Sequence, residues 1–359
     1  TNGLRIWQRS MPIGGSHFTK ALVSGKKLTF AKAEHLKRNA VRAEDPKEVF
    51  RMLKPVFNEF VTELQRSLNF FTGTDRTARL IQKIWQEQKS MPVTSTVVNK
   101  PGAGGAVAWA YMGPKAGDAH VLQVTSYNIV TNHITGRSTL SYSDFTPISL
   151  LISEYIGFAV KADSPYKTLA ELAKALRENP ESVPIGTSSS AGGANHIAAG
   201  LLAKAAGADI KKLKVVIYGG GGEALTATLG GHVAVWVNSA SSIASAQAVG
   251  TIRPLAIAAP QRLPGALAKL PTAKESGFPM VADNWRLLIA PKGLNPAQVA
   301  YWDNAFKTLT QSKEWSDDLA AAQMTNSYRN SAETTKYIAE EYGDIKEILT
   351  DLGLAKTAR

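Results

Sequence analysis

The 359-residue sequence predicts an α/β protein that carries an extra helical segment at its N-terminus. Three observations lead there. From Thr74 onward short apolar runs alternate with amphipathic stretches, the signature of a mainly parallel sheet with crossover helices. Before a seam near residues 70 to 79 the pattern is almost wholly helical. The length suits two or three domains with real cores, and a content of 44% hydrophobic and 19% charged residues describes a folded chain.

Along the first segment, Leu4 to Arg9 alternates like a short strand, and Pro12-Ile13-Gly14-Gly15-Ser16 reads as a turn with Ser16 placed to cap the next element. Ala31 to Asn39 is a short helix. Asp45-Pro46-Lys47-Glu48 is a strong helix start, with a capping acid, proline at the first helical position and an acid in the first turn. Behind it Phe50, Leu53, Phe57, Phe60, Val61, Leu64 and Leu68 recur at helical spacing, which predicts one amphipathic helix from Pro46 to about Phe70, with Pro55 as its kink point. Such a stripe must be covered. It predicts packing on the rest of the chain or self-association through residues 46–70.

Beyond the seam, Thr74-Asp75 can cap a helix whose Ala78, Ile81, Ile84 and Trp85 form one face. Thr96 to Asn99 reads as a strand, Pro101 to Gly105 as a turn, and the following residues through Trp109 and Tyr111 as a helix. His120 to Thr125 is a buried strand ending in Ser126-Tyr127-Asn128, and Phe145 to Val160 is a long apolar strand with a break near Glu154. Helix Lys167 to Glu178 leads to strand Val183 to Thr187. The units then repeat as helix 195–206, strand 214–218, helix 223–229, strand 233–237, helix 241–249 and strand 254–258. Trp285 to Ala290 is a further strand, and the last third is three helices, ending with Glu333 to Leu352.

Composition narrows the function. No stretch approaches the roughly 18 apolar residues of a membrane-spanning helix. The absence of cysteine removes disulfides, thiolate metal sites, iron–sulfur clusters and cysteine nucleophiles. Of the formal charge of +12, residues 1–73 hold 13 Lys and Arg against 6 Asp and Glu, so over half the excess lies in the first fifth of the chain. These bases are scattered over amphipathic helices without an aromatic-interleaved face, which argues against a nucleic-acid partner. Thr1-Asn2-Gly3 begins with no charged and apolar leader pattern, as expected for a mature or trimmed chain or for one that is not exported.

Ligands of open α/β sheets sit beyond the carboxyl ends of strands, at helix N-termini. Three loops rich in glycine and hydroxyls follow strands here: Gly186 to Gly193, Tyr218 to Gly222, and Asn238 to Ser242. Unpaired N–H groups and helix dipoles at such places attract an anion, and the donor set suits a carboxylate. Phosphate is a poor fit, because Gly219 to Gly222 continues into Glu223 without the lysine of a P-loop. Val107 breaks the dinucleotide spacing after Gly102, and Gly186-Thr187-Ser188-Ser189-Ser190 lacks the closing glycine of a nucleophile elbow. The six histidines show no metal-binding spacing. No enzyme, cofactor or metal is expected.

Two resemblances sharpen this. Gly14 to Thr19, Ala33 to Arg38 and Glu63 to Leu68 are similar to a stretch of the actin-like ATPases of type IV pilus assembly, which implies Glu34 and Lys37 as adenosine contacts. The competing reading of the residues is a surface ion pair at i, i+3, since so short a segment cannot hold the phosphate loops of an actin-like site. Thr74 to Arg79, Val98 to Gly105, Leu140 to Phe145, Lys161 to Pro165, Tyr218 to Gly231 and Ala259 to Leu263 resemble the receptors of tripartite tricarboxylate transporters, also called the Bordetella uptake gene receptors. This likeness runs from the mid-seventies to Lys356. It implies a two-lobed, type II-like periplasmic binding protein that captures a small organic anion, a di- or tricarboxylate or an aromatic acid, and hands it to membrane permease subunits.

Together the two resemblances imply an actin-like ATPase-like fragment over 1–73, one lobe from 74–146 and 255–359, and a second from 147–254. Its ligand-binding residues would be Thr74 and Asp75, then Ser126, Tyr127 and Asn128, then Thr187, Ser188 and Ser189 with Gly192 and Asn195, then Gly219 and Gly220, then Asn238 and Ser239. One departure stands out. The family places an apolar strand and a proline- and glycine-rich loop directly before the position of Thr74, where this chain has a helix-like pattern from Arg66 to Phe71. The alternatives are a pilus-assembly or ATPase-related interaction module, and an artificial fusion without function of its own.

Overall fold

The computed structural model of the protein describes residues 15–56, 71–188 and 190–356. The chain divides into two compact units, Thr1–Asn69 and Phe70–Arg359.

In the first unit α1 (Gly15–Lys26), α2 (Phe30–Arg38) and a third helix, α3, over 46–56 gather around Leu22, Ala33, Val49 and Leu53. Ser16 lies inside α1 rather than capping it. The cap expected at Asp45 forms, its carboxylate accepting the Glu48 N–H at 3.0 Å. The Leu4 to Arg9 strand and the helix beyond residue 56 lie outside the described residues.

The second unit holds two sheets, as a two-lobed protein requires. The first contains β1 (Gln123–Ser126), β2 (Phe145–Ser153), β8 (Arg286–Pro291) and β9 (Thr325–Arg329) in the order β1-β8-β2-β9. The second contains β3 (Ile156–Lys161), β4 (Ile185–Ser188), β5 (Val215–Tyr218), β6 (Val235–Ser239) and β7 (Ile252–Ile257) in the order β5-β4-β6-β3-β7. Among the described residues only β5-β4-β6 is parallel, joined through α8 (Ala194–Ala206) and α9 (Gly221–Leu229). This corrects the mainly parallel expectation. β8 returns from the other lobe antiparallel to both β1 and β2 and separates them, while β3 leaves β2 with no helix between them and pairs antiparallel with β6 and β7.

The break near Glu154 is therefore a crossing between sheets. Tyr155 bridges Asp283, the Asn284 N–H donates to the Glu154 carbonyl at 2.8 Å, and the Ile156 N–H donates to the Ala282 carbonyl at 2.9 Å, so two connecting segments run side by side. The lobe boundary drawn at 146/147 falls inside β2, which stays with the first sheet through Ser153 because β8 and β9 hold its two sides.

Thr96 to Asn99 is not a strand: no described strand runs beside it, and Val98 is 65% exposed. A strand exists only through a partner, and among the described residues β1 pairs with β8 alone. The remaining helices are α4 (Arg76–Gln88), α5 (Ala106–Met112), α6 (Asn128–Ile134), α7 (Leu169–Glu178), α10 (Ala240–Gln247), α11 (Pro296–Thr310), α12 (Lys313–Ala321) and α13 (Ser331–Asp351). Trp85, Trp302 and Phe306 stack where α4 meets α11, and a larger core running through Trp109, Phe158, Trp285 and Leu349 spans both sheets.

Candidate functional site

In the first lobe the chain enters α4 through a π turn at Phe71–Asp75, next to the end of β1. Asp75 is buried, and its carboxylate accepts from Arg79 Nε at 2.9 Å and Asn99 Nδ2 at 2.7 Å. Those bonds tie the turn to the extended segment before Pro101, so the part of Thr74-Asp75 left to meet a ligand is the turn itself. Ser126 closes β1 opposite Arg286. Tyr127 is buried with its ring 5.7 Å from that of Trp285, and burial holds its hydroxyl well above the ordinary phenol range. Asn128 opens α6 and lies beside Gly104, whose φ of +62° only glycine adopts without strain.

In the second lobe the ends of β4 and β6 and the start of α9 converge. Asn195 Nδ2 donates to the Ser188 carbonyl and hydroxyl, each at 3.4 Å. Asn238 is 6% exposed, and its side-chain oxygen accepts the Ser239 N–H at 2.8 Å. Its Nδ2 has no hydrogen-bond partner among the described residues. That donor faces Gly221, where an added Cβ would come within 2.7 Å of it, and Ser188 Oγ lies 3.9 Å from the same point. A buried amide donor left unmet is costly unless something fills the place. The start of α9 adds N–H groups and positive dipole to that place.

Other expected residues are engaged within their own lobe, and of these Thr187 and Gly192 are buried. The Thr187 hydroxyl donates to the Val237 carbonyl at 3.1 Å in full burial. The Gly192 N–H donates to His196 Nδ1 at 3.1 Å, and its Cα faces Leu349 and Thr135. The Gly219 N–H donates to the Glu223 carboxylate at 2.8 Å, and Gly220 is the extended residue before α9. Ser239 caps α10, its hydroxyl accepting the Ser242 N–H at 3.4 Å. Ser189 lies outside the described residues. The structure thus brings Ser188, Asn195, Asn238 and Ser239 together in one lobe, and Thr74, Asp75 and Ser126 in the other.

Between them stand residues that sequence reasoning left out. Arg286 and Glu154 form an ion pair at 3.5 Å with both side chains nearly buried. Glu154 also accepts the Ser241 hydroxyl at 2.7 Å. Burial lowers the arginine's pKa, opposed by Glu154 and Asp283. The signal was visible: a lone charge inside each of two apolar runs, Phe145 to Val160 and Trp285 to Ala290. His196, whose ring accepts from Gly192, is lowered in pKa by burial and stays neutral.

In the first unit Glu34 accepts from Lys37 at 2.7 Å, Arg38 at 2.9 Å and the Thr19 hydroxyl at 2.5 Å, which hold its carboxyl down to about 2. Among the described residues no group of three or more His, Asp or Glu side chains is arranged to hold a metal, and no helix is long and apolar enough to cross a membrane.

Comparison with known proteins agrees with this architecture. A UPF0065 protein from the gbd 5′ region of Cupriavidus necator is 31% identical over 263 residues, 72% of this chain and 78% of that protein. A TctC solute-binding protein from Polaromonas, 24% identical, superposes with a TM-score of 0.67 over 78% of this chain and 95% of its own. Rhodopseudomonas palustris MatC with bound malate, also 24% identical, gives 0.60 over 77% and 94%. Residues 77–354 match the family model described as tripartite tricarboxylate transporter family receptor. With that match running through both sheets, the chain belongs to the tripartite tricarboxylate transporter receptor family.

Proposed function

We propose that the second unit is a periplasmic receptor that captures a small organic carboxylate, a di- or tricarboxylate or an aromatic acid, between its two lobes and delivers it to the membrane permease of a tripartite tricarboxylate transporter. Family membership supports the receptor role, and MatC, a structural neighbour, holds malate. The observation that carries the ligand class is the unmet Asn238 Nδ2 donor beside Ser188 and the bare start of α9. A carboxylate is acceptor-only and meets such a donor without a proton of its own.

Binding is by closure. One loop set lies on each sheet, and the lobes are joined by the paired segments at Glu154–Ile156 and Ala282–Asn284. Rotation about such a pair brings the loops together and expels water from the cleft. Thr74, Asp75, Ser126, Asn128, Ser188, Asn195, Gly220, Asn238 and Ser239 line that cleft in this reading; Tyr127, Thr187 and Gly192 shape the loops from behind, and Gly219 holds the turn before α9 through Glu223. No chemical step is assigned to them. A thermal-shift screen tests the reading: malate, citrate or benzoate should stabilise the protein in proportion to the logarithm of concentration above Kd. Stabilisation by amides or sugars, with carboxylates silent, would refute it.

A further inference from the structure

The pair Arg286–Glu154 has more to do than join two strands. Arg286 is 6% exposed. Its Nη1 donates to the carbonyls of Asn284 at 2.6 Å and Trp285 at 3.1 Å. Its Nε–H has no hydrogen-bond partner among the described residues. Nη2 reaches Glu154 Oε2 only at 3.5 Å, while the other oxygen of that carboxylate is engaged by Ser241. Asp283, the second acid near this guanidinium, is pushed toward its neutral form by burial. The buried cation is thus only partly neutralised, a costly state that a further anion would relieve.

The first ligand turn is adjacent to that cation. A Cβ on Gly73 would come within 2.8 Å of Arg286 Nη2 and 3.2 Å of Nε, so the guanidinium lies directly under the backbone of the first ligand turn, and only glycine leaves it room. Asp75 of that turn is paired with Arg79 of α4 at 2.9 Å. We propose that Arg286 is a positioning and specificity-determining residue: from beneath the turn at Gly73–Asp75 it supplies the positive charge that makes the cleft prefer doubly charged carboxylates to singly charged ones. Glu154, held by Ser241 of the second lobe, is the internal competitor for that charge. This rests on the carboxylate-receptor reading and deepens it by naming the class of ligand.

Isothermal titration of the full chain with malate and with its monomethyl ester tests the idea in Glu154→Gln and Arg286→Gln. Removing the competing carboxylate should lower the Tm of the ligand-free protein, because a buried arginine loses its partner, yet tighten malate binding about threefold. Arg286→Gln should weaken malate about tenfold and the ester by less than about twofold. A pair that matters only for folding predicts the opposite sign for Glu154→Gln, so weaker malate binding there overturns the proposal, as does equal loss of malate and ester in Arg286→Gln. Glu154→Gln carries the test alone should Arg286→Gln not fold. If the wild type binds no carboxylate, the receptor reading fails separately, and inorganic sulfate becomes the probe. At equal sulfate, where its general effect on folded proteins cancels, Glu154→Gln should gain more in Tm than the wild type, and equal gains overturn the inference.

Discussion

Replacing Glu341 with glutamine should make the protein more stable in mild alkali and leave it unchanged in acid. Glu341 lies on α13, where burial first and the nearby Asp283 second push its carboxyl up from 4.5 to about 7. The folded state therefore favours the protonated form. The stability associated with that proton is fully present below about 4.5 and is lost as pH rises through about 7. At about 1.4 kcal/mol per pKa unit the loss reaches ~3 kcal/mol above that range, as an upper figure for a group with some access to water. Glutamine keeps the size and a donor but carries no charge at any pH. Urea unfolding at pH 5 and pH 8 measures both proteins. The expected result is a difference under ~1 kcal/mol at pH 5 and ~2–3 kcal/mol in favour of Glu341→Gln at pH 8. Because Asp283 faces the same space, its own titration also relaxes in the variant, in the same direction. A constant difference between the two pH values would refute the reasoning.

Three further outcomes rest on particular contacts. His196 must be neutral to accept the Gly192 N–H, and its lowered pKa means stability is present above the ordinary histidine value of 6.5 and falls as pH drops below it; His196→Ala should flatten that acid limb and weaken malate binding, and an unchanged limb in the thermal scan counts against it. Gly221→Ala adds a good helix former at the start of α9 but drives a Cβ to 2.7 Å from Asn238 Nδ2, so carboxylate affinity should fall about tenfold while Tm shifts by no more than a few degrees; unaltered affinity would show that Asn238 does not face the ligand. Because Glu34 is engaged with Thr19, Lys37 and Arg38 inside the helical unit, no magnesium-dependent ATP hydrolysis is expected, and an activity abolished by Lys37→Ala would overturn that.

The local elements of the second unit were legible in the order of residues alone. Alternation of apolar runs with amphipathic stretches located β2, β3, β4, β5, β6 and β8 and the helices between them to within a few residues, and even the break at Glu154, because periodicity and caps are properties of neighbouring residues. The donor-rich loops after β4 and β6 were legible for the same reason. Partnership was not. Whether Thr96 to Asn99 becomes a strand depends on a neighbour elsewhere in the chain, and among the described residues no strand pairs with it. The polar run Thr325 to Arg329 becomes β9 because β2 offers it an edge. The antiparallel return of β8 and the reach of β2 to Ser153 are likewise decided by which strands meet. The same holds at the site. Residue types pointed to hydroxyls and glycines, but only folding turned Thr187 and Tyr127 inward, left Asn238 Nδ2 unmet, and carried Arg286, far along the chain, under Gly73 beside Glu154. Charge pairing across such distances is set by tertiary contact, since burial and separation, not residue type, fix the strength of an ion pair.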